Sequence, residues 1–301
     1  MSCAPIALFV YNRPAHTRLT VEALQKNALA QDSDLIVFSD APKSESQAEA
    51  VHEVRQYIHQ IEGFKSVTIV EREANFGLAN SIIDGVTSVV NERGRIIVLE
   101  DDIVTSQYFL NFMNRALDYY VSELRVWHIS GWNFPINPKG LPETFFSRAM
   151  YCWGWATWGD RWKHFQKDPD RLMAEWNAAK INRFNLDGKR DFWEQVKQNA
   201  LGVLNTWGVF WYATIFEYNA LCLNPTVTYV ENIGLDKSGE NCDETTMYST
   251  RLNSRRLVRF PDGVSESSLA LRRTQQFCAG AVATRPSVLR SVAILIKKLL
   301  R

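Results

Sequence analysis

Net charge is almost absent from this chain. Its 34 Lys and Arg residues nearly cancel 33 Asp and Glu, leaving +1 over 301 residues. A whole-chain nucleic-acid binder carries a larger basic excess, so no nucleic-acid partner is expected. The five cysteines (3, 152, 222, 242 and 278) stand apart and form no CxxC pair. That argues against a disulfide framework or a zinc knuckle and fits a reducing cytosol. No apolar run approaches the roughly 18 to 20 residues that cross a bilayer. The apolar stretch 4–11 is short, contains Pro5 and has no basic lead-in, so it reads as a strand and not a signal peptide. The five histidines fall into no Ser-His-Asp or Cys-His order, which leaves a hydrolase without support. Tryptophan is missing from the first 126 residues; all ten lie between Trp127 and Trp211.

Hydrophobic residues make up 46% and charged residues 22%, so the chain is ordinary globular protein with ample core for one large or two small domains. Apolar runs at 6–11, 35–38, 67–70 and 96–99 are rich in Val, Ile, Leu and Phe, the pattern of strands buried on both faces. Between them, 18–28, 48–61 and 78–90 repeat apolar residues at helical spacing. This rhythm predicts an α/β fold with a mostly parallel sheet and helices on both faces. Right-handed crossovers then place the four strand ends on one edge, where open α/β sheets bind ligands. Tyr11-Asn12-Arg13, Ser39-Asp40, Asn75-Phe76-Gly77 and Glu100-Asp101-Asp102 converge there.

The acidic triplet is the most informative feature. Three adjacent carboxylates repel one another, and a hard divalent cation, Mn²⁺ or Mg²⁺, would compensate them while bridging substrate phosphates. An exposed acidic turn ahead of a helix is the plain alternative. A nucleotidyltransferase would also use acids and a metal at such an edge, but its Gly-rich phosphate loop is missing after the first strand, where Tyr11-Asn12-Arg13-Pro14 stands. The dense aromatics of 151–162 (YCWGWATWGDRW) read as packed core, with one or two available to line an acceptor groove.

Several segments in order resemble GT-A-fold glycosyltransferases, most of all the N-acetylglucosaminyltransferase I-like group and bacterial family 2-like sugar transferases. They are 98–103 (VLEDDI) with 108–112 (YFLNF), 127–133 (WHISGWN), 151–162, 223–226 (LNPT) and 232–242 (NIGLDKSGENC), spanning about four-fifths of the chain. The resemblance implies transfer of a sugar from a nucleotide-sugar donor, expected to be a UDP-sugar, to a glycan or lipid-linked acceptor in surface polysaccharide synthesis. Under it, Asp102 ligates the metal, and Glu100 and Asp101 contact the ribose and donor sugar. Asp40 bonds the base, Arg13 pairs with base or phosphate, and Asn80 lines the pocket. Lys237 and Ser238 reach a phosphate from a closing loop. It also implies a domain over 1–250, with a nucleotide-sugar half at 1–120 and an acceptor half at 121–250.

An inverting transfer needs a general base. Relatives tend to carry an aspartate in the segment matching 205–212 (NTWGVFWY), and no carboxylate stands there. Asp236 and Glu217 are the substitutes, and a carbohydrate-binding or scaffolding relative without a base is the rival reading. Residues 251–301 hold 11 basic and two acidic residues and form a basic extension. Its end, 286–301 (PSVLRSVAILIKKLLR), reads as a basic amphipathic helix able to lie on an anionic membrane surface, or to dock on the domain. The expected placement is cytoplasmic, peripheral at the inner membrane face if that helix binds lipid.

Overall fold

The computed structural model describes residues 2–236, 247–256 and 259–283. The first half alternates β1 (Ile6–Val10), α1 (Pro14–Gln25), β2 (Asp34–Ser39), α2 (Ala48–Ile58), β3 (Ser66–Glu71), α3 (Leu78–Arg93) and β4 (Arg95–Glu100). There follow β5 (Ile103–Thr105), α4 (Phe109–Tyr119), β6 (Val126–Ser130), β7 (Thr144–Ser147), β8 (Trp155–Trp158) and the single turn α5 (Gly159–Trp162). Helices α6 (Pro169–Glu175), α7 (Ala178–Phe184), α8 (Trp193–Ala200) and α9 (Gly208–Glu217) precede β9 (Leu221–Pro225), β10 (Val230–Asn232) and α10 (Ser268–Ala283).

Eight strands form one sheet in the order β3-β2-β1-β4-β8-β6-β9-β7, while β5 and β10 make a separate antiparallel ribbon. The α/β class expected from the sequence is the one observed. β1 pairs in parallel with β2 and β4, and β2 with β3. Beyond β4 the sheet is mixed: β8 runs against both β4 and β6, β9 runs with β6, and β7 runs against β9. Strands β6 and β9 therefore point the same way as β1 to β4, and their ends share one rim.

All five residues of β1 are buried, as a central strand covered on both faces requires. Phe9 stands opposite Phe38 in register, and their rings stack at 5.0 Å. Helix α3 lies directly on this pair at Gly85, where a Cβ would stand 2.8 Å from the Phe9 ring. Pro14 opens α1, where its missing N–H costs nothing and its fixed φ suits a helix.

The second half is held by rings. Nine of the ten tryptophans are buried, and Trp153 alone keeps partial exposure. Trp155 is wholly buried, stacked on His128 at 5.3 Å and on Trp207 at 5.1 Å. Trp211 is likewise enclosed, 4.9 Å from Trp162 and 6.1 Å from Trp127. Most of the aromatic run is therefore core, as read.

The described part of the basic extension packs on this half. Glu266 bridges to the edge strand at Phe146 and takes a forked bond from Arg148, with Nε at 2.9 Å and Nη2 at 2.8 Å. Residues 286–301 lie outside the described residues, so the amphipathic helix expected there has no structural account. No described helix is long and apolar enough to cross a membrane.

Candidate functional site

The parallel strands deliver their ends to one rim, and the triplet after β4 is its centre. Asp101 and Asp102 are buried at 4% and 7% exposure. Arg13, at the mouth of α1, reaches across to them. Its Nη2 donates to Asp101 Oδ1, and to Asp102 Oδ2 at 3.0 Å, while Nε lies 3.4 Å from Asp101 Oδ2. Thr20, nearly two helical turns further on, donates to the Asp101 carbonyl at 2.8 Å and pins α1 to the same turn. The repulsion among the acids is thus relieved in part by a guanidinium, a partner the sequence argument assigned to a divalent ion. Burial still pushes the Glu100 and Asp101 carboxyls above the ordinary carboxylate range, with Arg13 pulling the other way. Burial opposes the charge of Arg13, but the two aspartates outweigh it and hold the guanidinium firmly protonated.

Two buried atoms of this cluster have no hydrogen-bond partner: Asp102 Oδ1 and Arg13 Nη1. One is an acceptor without a cation or donor, the other a donor without an acceptor. The strap 230–236 covers them. β10 pairs with β5 so that Asn232 stands opposite Ile103, and the Ile233 N–H donates to the Asp102 carbonyl at 2.9 Å. Gly234 then passes so close that a Cβ would collide with the Asp102 carboxylate and lie 2.7 Å from Arg13 Nη1. Asp236, at the end of the strap, faces His16 of α1, with Nε2 and Oδ2 3.1 Å apart. His16 was not singled out by sequence. Its spacing of three from Arg13 puts both on one helix face, but its partner is 220 residues away.

Asp40 sits on the rim after β2 at 5% exposure, but its carboxylate is fully engaged. Oδ1 accepts from the Ala41 and Phe76 N–H groups, both at 2.9 Å. Oδ2 accepts from the Gly77 N–H at 2.8 Å and from Asn75 Nδ2 at 3.2 Å. Four donors fill the acceptor sites of a carboxylate. Asp40 therefore shapes the turn that enters α3, a different role from the base contact expected of it. Gly77, at φ +71°, gives that turn a backbone that other residues rarely adopt. Asn80 is exposed and donates to the Phe76 carbonyl at 3.0 Å, bracing the same turn. The Phe76 ring stays 39% exposed under the Arg72 guanidinium, 4.5 Å away, an aromatic surface on the rim to which the sequence reading gave a place but no role.

Glu217, the other candidate base, does not join this rim. It closes α9, which leads into the start of β9, so it lies at the sheet edge opposite the triplet. Its carboxylate accepts from Arg171 at 2.7 Å, Trp176 Nε1 at 2.9 Å and Lys180 at 3.1 Å. Burial works to raise its pKa, but these three partners win and hold the carboxyl at about 2, well below the ordinary carboxylate range. Lys237 and Ser238 lie outside the described residues.

The aromatic half meets the same rim. Val98 of β4 stands opposite Trp155 of β8, and Trp153 lies in the bend just before that strand. The turn carrying Trp153 is clamped from below. Burial drives the His128 ring down to about 3, so it stays neutral. Its Nδ1 accepts from Trp211 Nε1, and Nε2 donates to the Tyr151 carbonyl at 3.0 Å. Ser130 Oγ donates to the same carbonyl at 3.2 Å, and the Gly131 N–H to the Gly154 carbonyl at 2.6 Å.

Among the described residues, no group of three or more His, Cys, Asp and Glu could hold a metal on its own. The unpartnered Asp102 oxygen nevertheless fits a hard cation that draws its other ligands from phosphates and water, the habit of Mg²⁺ and its like.

No protein-family model and no curated protein matches the chain. Among solved structures it is similar to S. aureus TarS, at 13% identity over 39% of this chain and 20% of that one, TM-score 0.30. It is similar to the mannosyltransferase PcManGT of Pyrobaculum calidifontis, solved with GDP-Man and Mn²⁺, at 13% identity over 45% of this chain and 36% of that one, TM-score 0.30. An active-site mutant of LgtC aligns at 8% identity over 70% of both chains, TM-score 0.37. The chain thus spans well under two thirds of the first two.

Proposed function

We propose that this chain is a metal-dependent glycosyltransferase of GT-A fold. It moves a sugar from a nucleotide-sugar donor to a glycan or lipid-linked acceptor. The carrying observation is the pair of buried, unpartnered atoms on the strand-end rim: Asp102 Oδ1 for a divalent cation, Arg13 Nη1 for a phosphate oxygen. A nucleoside diphosphate with its cation satisfies both. When bound, Mn²⁺ or Mg²⁺ would neutralise charge on the leaving diphosphate. Glu100 and Asp101 face the donor from the same turn. The turn held by Asp40 forms the wall on the β2–β3 side, and the strap at 230–236 limits water at the reacting centre.

With Glu217 removed, the His16–Asp236 pair is the acid–base group beside the donor site, and Asp236 is the base in an inverting transfer. A UDP-sugar donor, a role in surface polysaccharide synthesis and a cytoplasmic, membrane-peripheral placement through 286–301 belong to the same proposal. The rival is a binding protein without turnover. Asp102→Asn is expected to abolish Mn²⁺-dependent binding of UDP in calorimetry while thermal unfolding stays cooperative. Unchanged affinity would sink the metal assignment. Donor hydrolysis followed with and without Mn²⁺ separates an enzyme from a binder, because only the enzyme releases UDP.

A further inference from the structure

Resting on the donor-site reading above, the arrangement around Arg13 sets the order in which that site can fill. The guanidinium already bonds both Asp101 and Asp102, so their charge is in part compensated before any cation arrives. Its backbone is anchored, since the Thr17 N–H and Oγ1 both bond the Arg13 carbonyl at 2.9 Å. Gly234 closes the strap side so tightly that not even a methyl group fits beside the ion pair. A divalent cation entering alone would meet a fixed positive charge sharing its ligand, Asp102. A diphosphate entering alone would meet two buried aspartates. Only a cation and a diphosphate together give Asp102 Oδ1 a cation, give Arg13 Nη1 an acceptor and keep the cluster neutralised.

We infer that Arg13 is an exchangeable counter-ion: it guards Asp101 and Asp102 against a lone divalent cation and yields to one only when a diphosphate arrives to receive the guanidinium. The two ligands then bind as a coupled pair. Arg13 is a positioning residue in this role, acting on the cation through the carboxylates it shares with it.

Titration of Mn²⁺ alone, UDP alone and each in the presence of the other measures this, with GDP as a second probe. In the wild-type protein, saturating UDP is expected to tighten Mn²⁺ about tenfold or more, and Mn²⁺ to tighten UDP by the same factor. Arg13→Gln removes the guard. It is expected to bind Mn²⁺ alone about tenfold more tightly than wild type and to lose most of the coupling. Arg13→Lys keeps the charge and is expected to keep lone Mn²⁺ weak. A gain in cation affinity cannot come from damage to the fold, so it separates this role from a structural one. If Arg13→Gln binds Mn²⁺ alone no better than wild type and the coupling persists, the exchange is overturned while the donor site stands. If wild type binds UDP with no dependence on Mn²⁺, the exchange is overturned without any variant. If wild type binds neither ligand in any combination, the donor-site reading falls and the exchange with it.

Discussion

Residues 6–105 and 126–232 contribute strands to one sheet and to the small β5–β10 ribbon, but the two regions are held by different forces. In the first region no tryptophan is present, and the rim polar groups are fixed by charge: Arg13 on two aspartates, Asp40 on four donors. In the second region ring packing dominates, and buried indoles stack through the layer beneath the rim. The contrast separates stability from function. Buried polar atoms without partners occur in both regions, but among the described residues a carboxylate oxygen and a guanidinium nitrogen of one ion pair, Asp102 Oδ1 and Arg13 Nη1, are left so only in the first, while the second supplies a stiff wall. Breaking the wall gives the largest effect expected. Trp155→Ala empties a fully enclosed site and should cost about 3–5 kcal/mol in urea unfolding. Nucleotide affinity of the fraction still folded should not change. A matching loss of affinity would show that the two regions are not separable.

The next effects probe charge on either side of the sheet. Asp40→Ala strands four donors at the entry to α3 and should cost about 2–3 kcal/mol of stability, with UDP binding weakened through the loosened turn. A variant that loses UDP affinity at wild-type stability would restore a direct contact with the base. Glu217→Gln is smaller, about 1–2 kcal/mol at pH 7 after allowance for its 20% exposed side chain. Its folded carboxyl, at about 2, lies below the ordinary 4.5. The stabilisation is therefore complete above pH 4.5 and lost as pH falls toward 2. Wild type and variant should converge over that window in acid unfolding. A gap that widens there would contradict the ion-pair network, and loss of sugar transfer at full stability would return Glu217 to the site.

The strands of the first region were legible because each is a short apolar run between helical repeats, and their parallel pairing fixed which residues share the rim. Arg13 and Asp101 therefore appeared in the right place, although their mutual bond did not: in sequence the acids read as repelling groups and Arg13 as a partner for the base or phosphate of a nucleotide. Asp40 was placed and its partners missed, because they are backbone N–H groups oriented by the conformation at Gly77. The partners of Glu217 were not legible because its cations, Arg171 and Lys180, come from a helical segment 37 to 46 residues earlier. His16 escaped notice since its partner lies on the strap after β10. The tryptophans look alike as letters, and only the turn held by His128 and Ser130 distinguishes Trp153 from the rest.

Trp153 gives the smallest stability effect and the sharpest test of the contrast. Its ring meets Trp132 at 4.5 Å and Tyr248 at 5.7 Å, both edge-on, and keeps partial exposure in the bend that leads into β8. The turn beneath it is fixed by backbone bonds from His128, Ser130 and Gly131, none of which uses the indole. Trp153→Ala should therefore change unfolding by about 1 kcal/mol or less, far below Trp155→Ala. If the ring stacks on an acceptor sugar, kcat/KM for a glycan acceptor should fall about fivefold, equivalent to roughly 1 kcal/mol of aromatic contact. Donor hydrolysis should hold steady, and Trp153→Phe should recover most of the loss. A parallel fall in hydrolysis would place the indole against the donor instead. Unchanged acceptor kinetics would make the aromatic region a wall throughout, with the acceptor held elsewhere on the rim.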